Sequence, residues 1–193
     1  MRGAAELLEQ SGQEQAVTLR AVARQVGIAA PSIYSHFPDR ESILMAAVER
    51  AFAELAEQLR AARAAAGTDP VARLRALSAA YLDFSRLRPQ RYRVMFGGVW
   101  DLTDAVQASA VSQAEALALG QDALAAIVEA LQDCVDAGES ASTDPSGDAV
   151  ALWVALHGLA HQRAVITHFP WPSGIAERLV DRIARLQPDT TTG

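Results

Sequence analysis

Lysine is absent, so all 17 basic side chains of the 193-residue chain are arginine. Beside the plentiful alanine, this reads as codon bias more than mechanism. A single cysteine, Cys134, excludes an internal disulfide and leaves too few thiolates for a sulfur-ligated metal site. Aromatic residues make up only 6% of the chain, and the long valine- and isoleucine-rich runs that mark a buried parallel sheet are missing. No charged segment followed by an apolar stretch marks a secretion signal, and no apolar run is long enough to span a bilayer. These absences favour a soluble, cytoplasmic protein with no membrane partner. Catalytic signatures are missing too: there is no G-x-S-x-G, no glycine loop to cradle phosphate, and no triad around the lone cysteine. No enzymatic activity and no cofactor are expected.

What remains is half hydrophobic, enough to bury a sizeable core, and rich in alanine, the best helix former. An all-α protein of about nine helices follows. The net charge of −6 is unevenly spread. Residues 1–50 hold five arginines against six acids, and residues 51–100 hold eight against four. Residues 101–193 hold four arginines against thirteen acids. The acidity therefore lies away from the N-terminus, and total charge is a weak argument against a DNA partner.

Apolar spacing and punctuation divide the chain. It opens within a helical pattern (Ala4, Leu7, Leu8) ended by Ser11-Gly12, which implies a missing or very short N-terminal tail. Thr18 stands as an N-cap before Leu19, Val22, Ala23 and Val26, and Gly27 is placed to end that helix in the left-handed conformation. A short helix is expected from Ala30 to about His36, with Pro31 in its first turn. Asp39 caps a long helix over 40–66, whose stripe runs from Ile43 to Leu59. Asp69-Pro70 and Pro89 open the next two. One or two helices then run from Trp100 to Gly138, with Leu117, Leu124, Ile127, Leu131 and Val135 as their apolar face. Residues 138–147 (GESASTDPSG) form a loop, and helices over 145–168 and 173–187 follow. The expected division is a helix-turn-helix domain over 1–46, a second helical domain over 47–188 and a disordered tail over 189–193.

Two helices joined by a short glycine-containing turn, as in TLRAVARQVGIAAPSIYSHF at 18–37, make a helix-turn-helix. The first helix braces the second, whose small N-terminal residues enter the major groove. Ile28, Ile33 and Phe37 face back into a three-helix core. Thr18, Leu19, Arg20, Val22, Ala23, Gly27, Ile28, Ser32, Ile33, Tyr34, His36 and Phe37, continued by Arg40, Glu41, Ile43 and Leu44, resemble the tetracycline-repressor (TetR) family of transcription regulators. The resemblance implies that Thr18, Tyr34, His36 and Arg40 meet backbone phosphates, while Ala30, Pro31 and Ser32 approach base edges of double-stranded operator DNA. Arg20 and Arg24 are further candidates. Phosphate contacts orient the protein and make affinity salt-dependent, whereas base contacts specify. Two positions depart from the family pattern: Ala29 replaces the usual serine cap, and Arg40 the usual lysine.

A regulator of this family needs a homodimer, so that two recognition helices meet successive major grooves about 34 Å apart. The last two helices are the natural interface, through Trp153, Leu156, Leu159, Ala160, Leu179 and Ile183. A looser resemblance links YRVMFGG at 92–98 and ALWVALHGLA at 151–160 to a WHG-type C-terminal domain, with Trp153, His157 and Gly158 as its signature. It implies a small-molecule effector pocket lined by Tyr81, Phe84, Tyr92, Met95, Phe96, Trp100, Trp153 and His157, mostly apolar with a few polar handles. His157 and His161 have the spacing of a metal pair but lack a third ligand, so no metal is expected. The reading is a ligand-responsive repressor that binds a palindromic operator as a dimer and is released by a small, mostly apolar effector. The alternative is a dimeric protein-interaction module that keeps the fold with weakened DNA binding, motivated by Ala29 and the near-neutral N-terminal region.

Overall fold

The computed structural model describes residues 18–27, 29, 32, 36–37, 39–96, 102–107 and 111–188. Among them the chain forms α1 (Leu19–Val26), α2 (Arg40–Ala65), α3 (Pro70–Leu87), α4 (Pro89–Phe96), α5 (Leu102–Gln107), α6 (Gln113–Ala118), α7 (Gln121–Asp136), α8 (Pro145–Val165) and α9 (Ile175–Ile183). The described residues include no strand, only an isolated antiparallel bridge between Ser140 and Leu186. The expected opening helix and the tail after Pro188 lie outside the described residues, as do most positions of the helix expected over 30–36.

The residue contacts group the chain into two compact units, Met1–Glu54 with Arg88–Gln121, and Leu55–Leu87 with Asp122–Gly193. Sequence reasoning places the junction at 46/47, so the grouping of 88–121 with the N-terminal segment is new. The long helix α2 runs unbroken from Arg40 to Ala65, with residues in both units.

In the first unit, Asp39 caps α2 as expected, accepting from Ser42 N at 2.8 Å and Ser42 Oγ at 2.6 Å. Those two bonds hold the Asp39 carboxyl below its ordinary range. Six consecutive α2 residues, Ile43 to Val48, are buried. A single apolar stripe cannot do this at 3.6 residues per turn, so this part of α2 is enclosed on all sides. Met45 supplies one reason, packing with Ala105 and Val111 in a cluster flanked by Leu102, Val106, Ala116 and Leu119. The stretch expected as one or two helices is cut into α5, α6 and α7. Ser112 starts α6 with a capping box, its hydroxyl accepting from Glu115 N while Glu115 accepts from Ser112 N. Gly120, at φ +75°, turns the chain into α7. Leu117 is 65% exposed and drops out of the expected apolar face, because α6 is a separate short helix.

In the second unit, α8 contacts both α3 and α9, and α9 contacts α3. The core takes Leu74, Leu77, Tyr81 and Phe84 from α3, Ile127, Leu131 and Cys134 from α7, and Leu152 and Leu156 from α8. Burial of such side chains contributes about 1.5–3 kcal/mol each before entropic costs. Ser78, buried mid-helix, donates its hydroxyl to Leu74 O at 2.8 Å, which removes the cost of an orphaned polar group. Arg63 holds Glu129 and Asp133, each at 2.7 Å, and Arg75 holds Asp181 at 2.9 Å. The expected loop 138–147 is tied down. Ser140 Oγ donates to Ala184 O at 2.7 Å, Ala141 N to Arg185 O at 2.9 Å, and Gln187 N to Glu139 O at 2.8 Å. As expected, α8 starts at Pro145, with Asp144 as its cap accepting from Gly147 N at 3.0 Å.

Candidate nucleic-acid interface

The brace helix α1 is built as its sequence dictates. Thr18 has extended backbone (φ −119°, ψ 152°), and its hydroxyl oxygen accepts from Ala21 N at 3.1 Å. One orphan donor of the first turn is thereby satisfied, and the exposed hydroxyl keeps its proton for an outside acceptor such as a phosphate oxygen. At the other end Gly27 is left-handed at φ +73°, and its N–H bonds Ala23 O and Arg24 O. No atom stands within 4 Å of where a Cβ would sit, so the backbone angle alone favours glycine. Val22 and Ala23 are buried, 2% and 1% exposed, while Arg20 and Arg24 point outward. One face of α1 is thus fixed in the core and the other presents two guanidinium groups.

Beyond Gly27, Ser32 and His36 are exposed, and Ser32 N donates to Ala29 O at 2.9 Å. Arg40 opens α2 half-buried, paired with Glu41 at 3.1 Å. This acid competes with any phosphate for the same guanidinium. Ala30, Pro31 and Tyr34 lie outside the described residues. Of the expected DNA-contacting set, Thr18, Arg20, Ser32 and His36 therefore present accessible side chains, and Arg40 a partly engaged one.

The residues expected to line an effector pocket divide between the units. Tyr81, Phe84, Trp153 and His157 belong to the second, and Tyr92, Met95 and Phe96 to the first, each of these three half-buried. Trp100 lies outside the described residues. Phe84, fully enclosed, is core rather than cavity wall. Tyr81, 1% exposed, is likewise core, but its hydroxyl reaches His157 Nδ1 at 3.4 Å. Trp153 and His157 are half-buried neighbours on α8, with ring centroids 6.2 Å apart. Burial, then the nearby His161, pushes the His157 imidazole below its ordinary pKa. Cys134 is buried and pushed up to about 11, chiefly by desolvation, so it is an inert thiol at neutral pH. Among the described residues no three His, Cys, Asp or Glu side chains gather as a metal site, and no helix is long and apolar enough to cross a membrane.

Of the expected dimer stripe, Leu156, Leu159 and Ala160 are buried within the subunit, where they pack α8 onto its own core. Trp153, Leu179 and Ile183 are half-buried. The apolar face that α8 leaves exposed lies opposite and carries Val150, Val154 and Val165, 41%, 56% and 65% exposed, with Gly158 and His161 between them. It continues into Ile166 and Phe169. Sequence reasoning missed this second stripe, although α8 is apolar around most of its circumference, the pattern of a helix covered on more than one side.

The comparisons with known proteins agree with this architecture. The family profile described as "Bacterial regulatory proteins, tetR family" matches residues 1–47, and "Tetracyclin repressor-like, C-terminal domain" matches residues 74–186. No curated protein matches the chain. Among solved structures, a protein of unknown function from Rhodococcus sp. RHA1 is 25% identical with a TM-score of 0.73, over 94% of this chain and 87% of that one. The fatty acid degradation regulator FadR from Bacillus halodurans is 14% identical with a TM-score of 0.66, over 95% of each chain. PfmR from Thermus thermophilus, a TetR family transcriptional regulator, is 20% identical with a TM-score of 0.61, over 96% of this chain and 97% of that one. The all-α fold, the capped brace helix and the two matching profiles lead to one assignment: this chain belongs to the tetR family of bacterial transcriptional regulators, with an N-terminal DNA-binding helix-turn-helix.

Proposed function

We propose that the protein is a ligand-responsive repressor of the cytoplasm that binds a palindromic operator as a homodimer and leaves it when a small, mostly apolar effector binds. The observation that carries this reading is the two-faced α1. Val22 and Ala23 anchor it, Thr18 and Gly27 fix its ends, Arg20 and Arg24 stand outward, and Ser32 and His36 are exposed as well. In the proposed complex Thr18, Arg20, Tyr34, His36 and Arg40 meet phosphate, and Ala30, Pro31 and Ser32 meet base edges. Ala30 and Pro31 offer only apolar contact, as to a thymine methyl, so hydrogen-bonded readout falls to Ser32 and the arginines.

Two copies associate through the exposed face of α8, with the half-buried Leu179 and Ile183 of α9 at its margin. The effector meets the half-buried Trp153 and His157, where the imidazole and the Tyr81 hydroxyl are the polar handles. Because α2 is one continuous helix with residues in both units, a shift of α2 on binding changes the spacing of the two DNA-reading heads. An effector acts only by preferring one spacing over the other. The protein has no catalytic role in this reading.

A mobility-shift titration against promoter DNA at several salt concentrations tests it. A specific complex whose affinity falls steeply with salt is expected. A protein that stays dimeric yet forms no specific complex at low salt refutes it and favours a protein-interaction module.

A further inference from the structure

Glu54 stands where the chain leaves the first unit, and Arg88 where it returns. The Glu54 side chain is only 15% exposed, yet three guanidinium groups converge on it. Arg50, one turn earlier on α2, donates from Nε at 3.0 Å to one carboxylate oxygen. Arg88 donates from Nη1 at 3.3 Å to the other, which Arg91 also contacts. Arg88 and Arg91 bracket the start of α4, whose first turn closes with Tyr92 N donating to Arg88 O at 3.0 Å. Two residues before Glu54, Phe52 meets the ring of Phe96 edge-on at 5.4 Å, and Phe96 in turn meets Tyr92 at 5.0 Å. On another side, Phe52 rests against Gly120, where an added Cβ would stand 2.8 Å from the ring. All of these residues lie in the unit that contains α1.

We infer that Glu54 is a clasp that fixes α4 to the DNA-reading unit, so that a displacement of Pro89–Phe96 is carried through α2 to α1. The inference rests on the reading of α1 as part of the DNA-binding head. A largely buried carboxylate that serves both segments makes their attachment all-or-none, since loss of either arginine leaves charge short of its partners in a poorly solvated place. Glu54 is a positioning residue: it touches neither DNA nor effector and acts through the helices it joins. Within the arginine-rich RLRPQRYR at 86–93, Arg88 and Arg91 are then the residues that dock onto α2, whereas Arg86 pairs with Asp83 and Arg93 stays exposed.

Amide hydrogen exchange on the full chain tests the clasp without any effector. In Glu54→Gln, exchange is expected to rise at least tenfold over residues 90–96 and also over α1, while α7 and α8 keep their wild-type rates. Protection unchanged over 90–96 overturns the inference, and so does a rise confined to 90–96 that leaves α1 untouched. If Glu54→Gln loosens every helix alike, Arg91→Lys, which keeps the charge but not the planar fork, is read the same way. It should show a smaller rise over the same two segments, and none at all refutes the clasp. A wild-type protein that fails to shift promoter DNA would defeat the repressor reading while leaving this exchange pattern to stand or fall alone.

Discussion

The two faces of α8 make opposite demands, and one pair of substitutions separates them. Leu156 is fully buried in the subunit, whereas Val154, on the other side of the helix, is 56% exposed. Leu156→Ala removes three buried carbons from a core that cannot collapse around them, since α3 and α9 both contact α8. Such truncations cost about 2–5 kcal/mol, and 3 kcal/mol corresponds to roughly 6–12 °C in melting temperature for a chain of this size. Its association should be unaltered, because the side chain never reaches a partner. Val154→Asp does the reverse. The carboxylate is solvated in the free subunit, so folding is nearly untouched, but in a two-fold interface it buries a charge from each copy. A penalty of about 3 kcal/mol weakens association roughly a hundredfold. Sedimentation velocity over a concentration series reads association, and circular dichroism reads the melt. A destabilised dimer for Leu156→Ala and a folded monomer for Val154→Asp are expected. Should Val154→Asp sediment as wild type while Leu156→Ala dissociates, the assignment of faces is wrong.

Further outcomes follow from single contacts. Gly27→Ala and Gly120→Ala both place an alanine at positive φ, which costs about 1–2 kcal/mol. Only Gly120 also drives a Cβ to 2.8 Å from the Phe52 ring, so urea unfolding should show its variant less stable by a further 1–3 kcal/mol or so, and equal losses would contradict the packing described. Burial, then His161, holds the His157 pKa below its ordinary 6.5. The fold therefore favours the neutral ring, and its contribution is complete above pH 6.5 and lost as the pH falls below that value. Urea midpoints at pH 7.5 and 5.5 should converge in His157→Gln, and an unchanged pH dependence argues against the buried imidazole. Arg20→Ala should lower the slope of log affinity against log salt by about 0.9 for each phosphate that is no longer neutralised, counted twice in a dimer. A slope equal to wild type removes Arg20 from the interface.

What was legible in the sequence was local. Thr18, Gly27, Asp39 and Asp144-Pro145 each act on neighbours within four residues, and each does what its residue type dictates. The break at Ser112 was legible too, since Ser112 and Glu115 spell a capping box, yet the apolar pattern overrode it and predicted longer helices. Pairings across long separations left no such mark. Glu54 with Arg88 and Arg91 is indistinguishable in sequence from solvated charge, and so the attachment of 88–121 to the N-terminal segment went unseen. The tie of Ser140 to Ala184 is of the same kind, a loop signal made rigid by a segment over forty residues away. On α8, periodicity revealed that apolar residues recur but not which of two apolar faces meets the core. Leu152, Leu156 and Leu159 turned inward, and Val150, Val154 and Val165 outward.

Hydroxyl-radical footprinting of the protein on promoter DNA tests the central claim most directly. The account predicts two symmetric protected patches on one face of the duplex, centred about 10 base pairs or a multiple apart, both lost together in a double Arg20→Ala, His36→Ala variant. A single patch, or protection that survives the loss of both side chains, would contradict it.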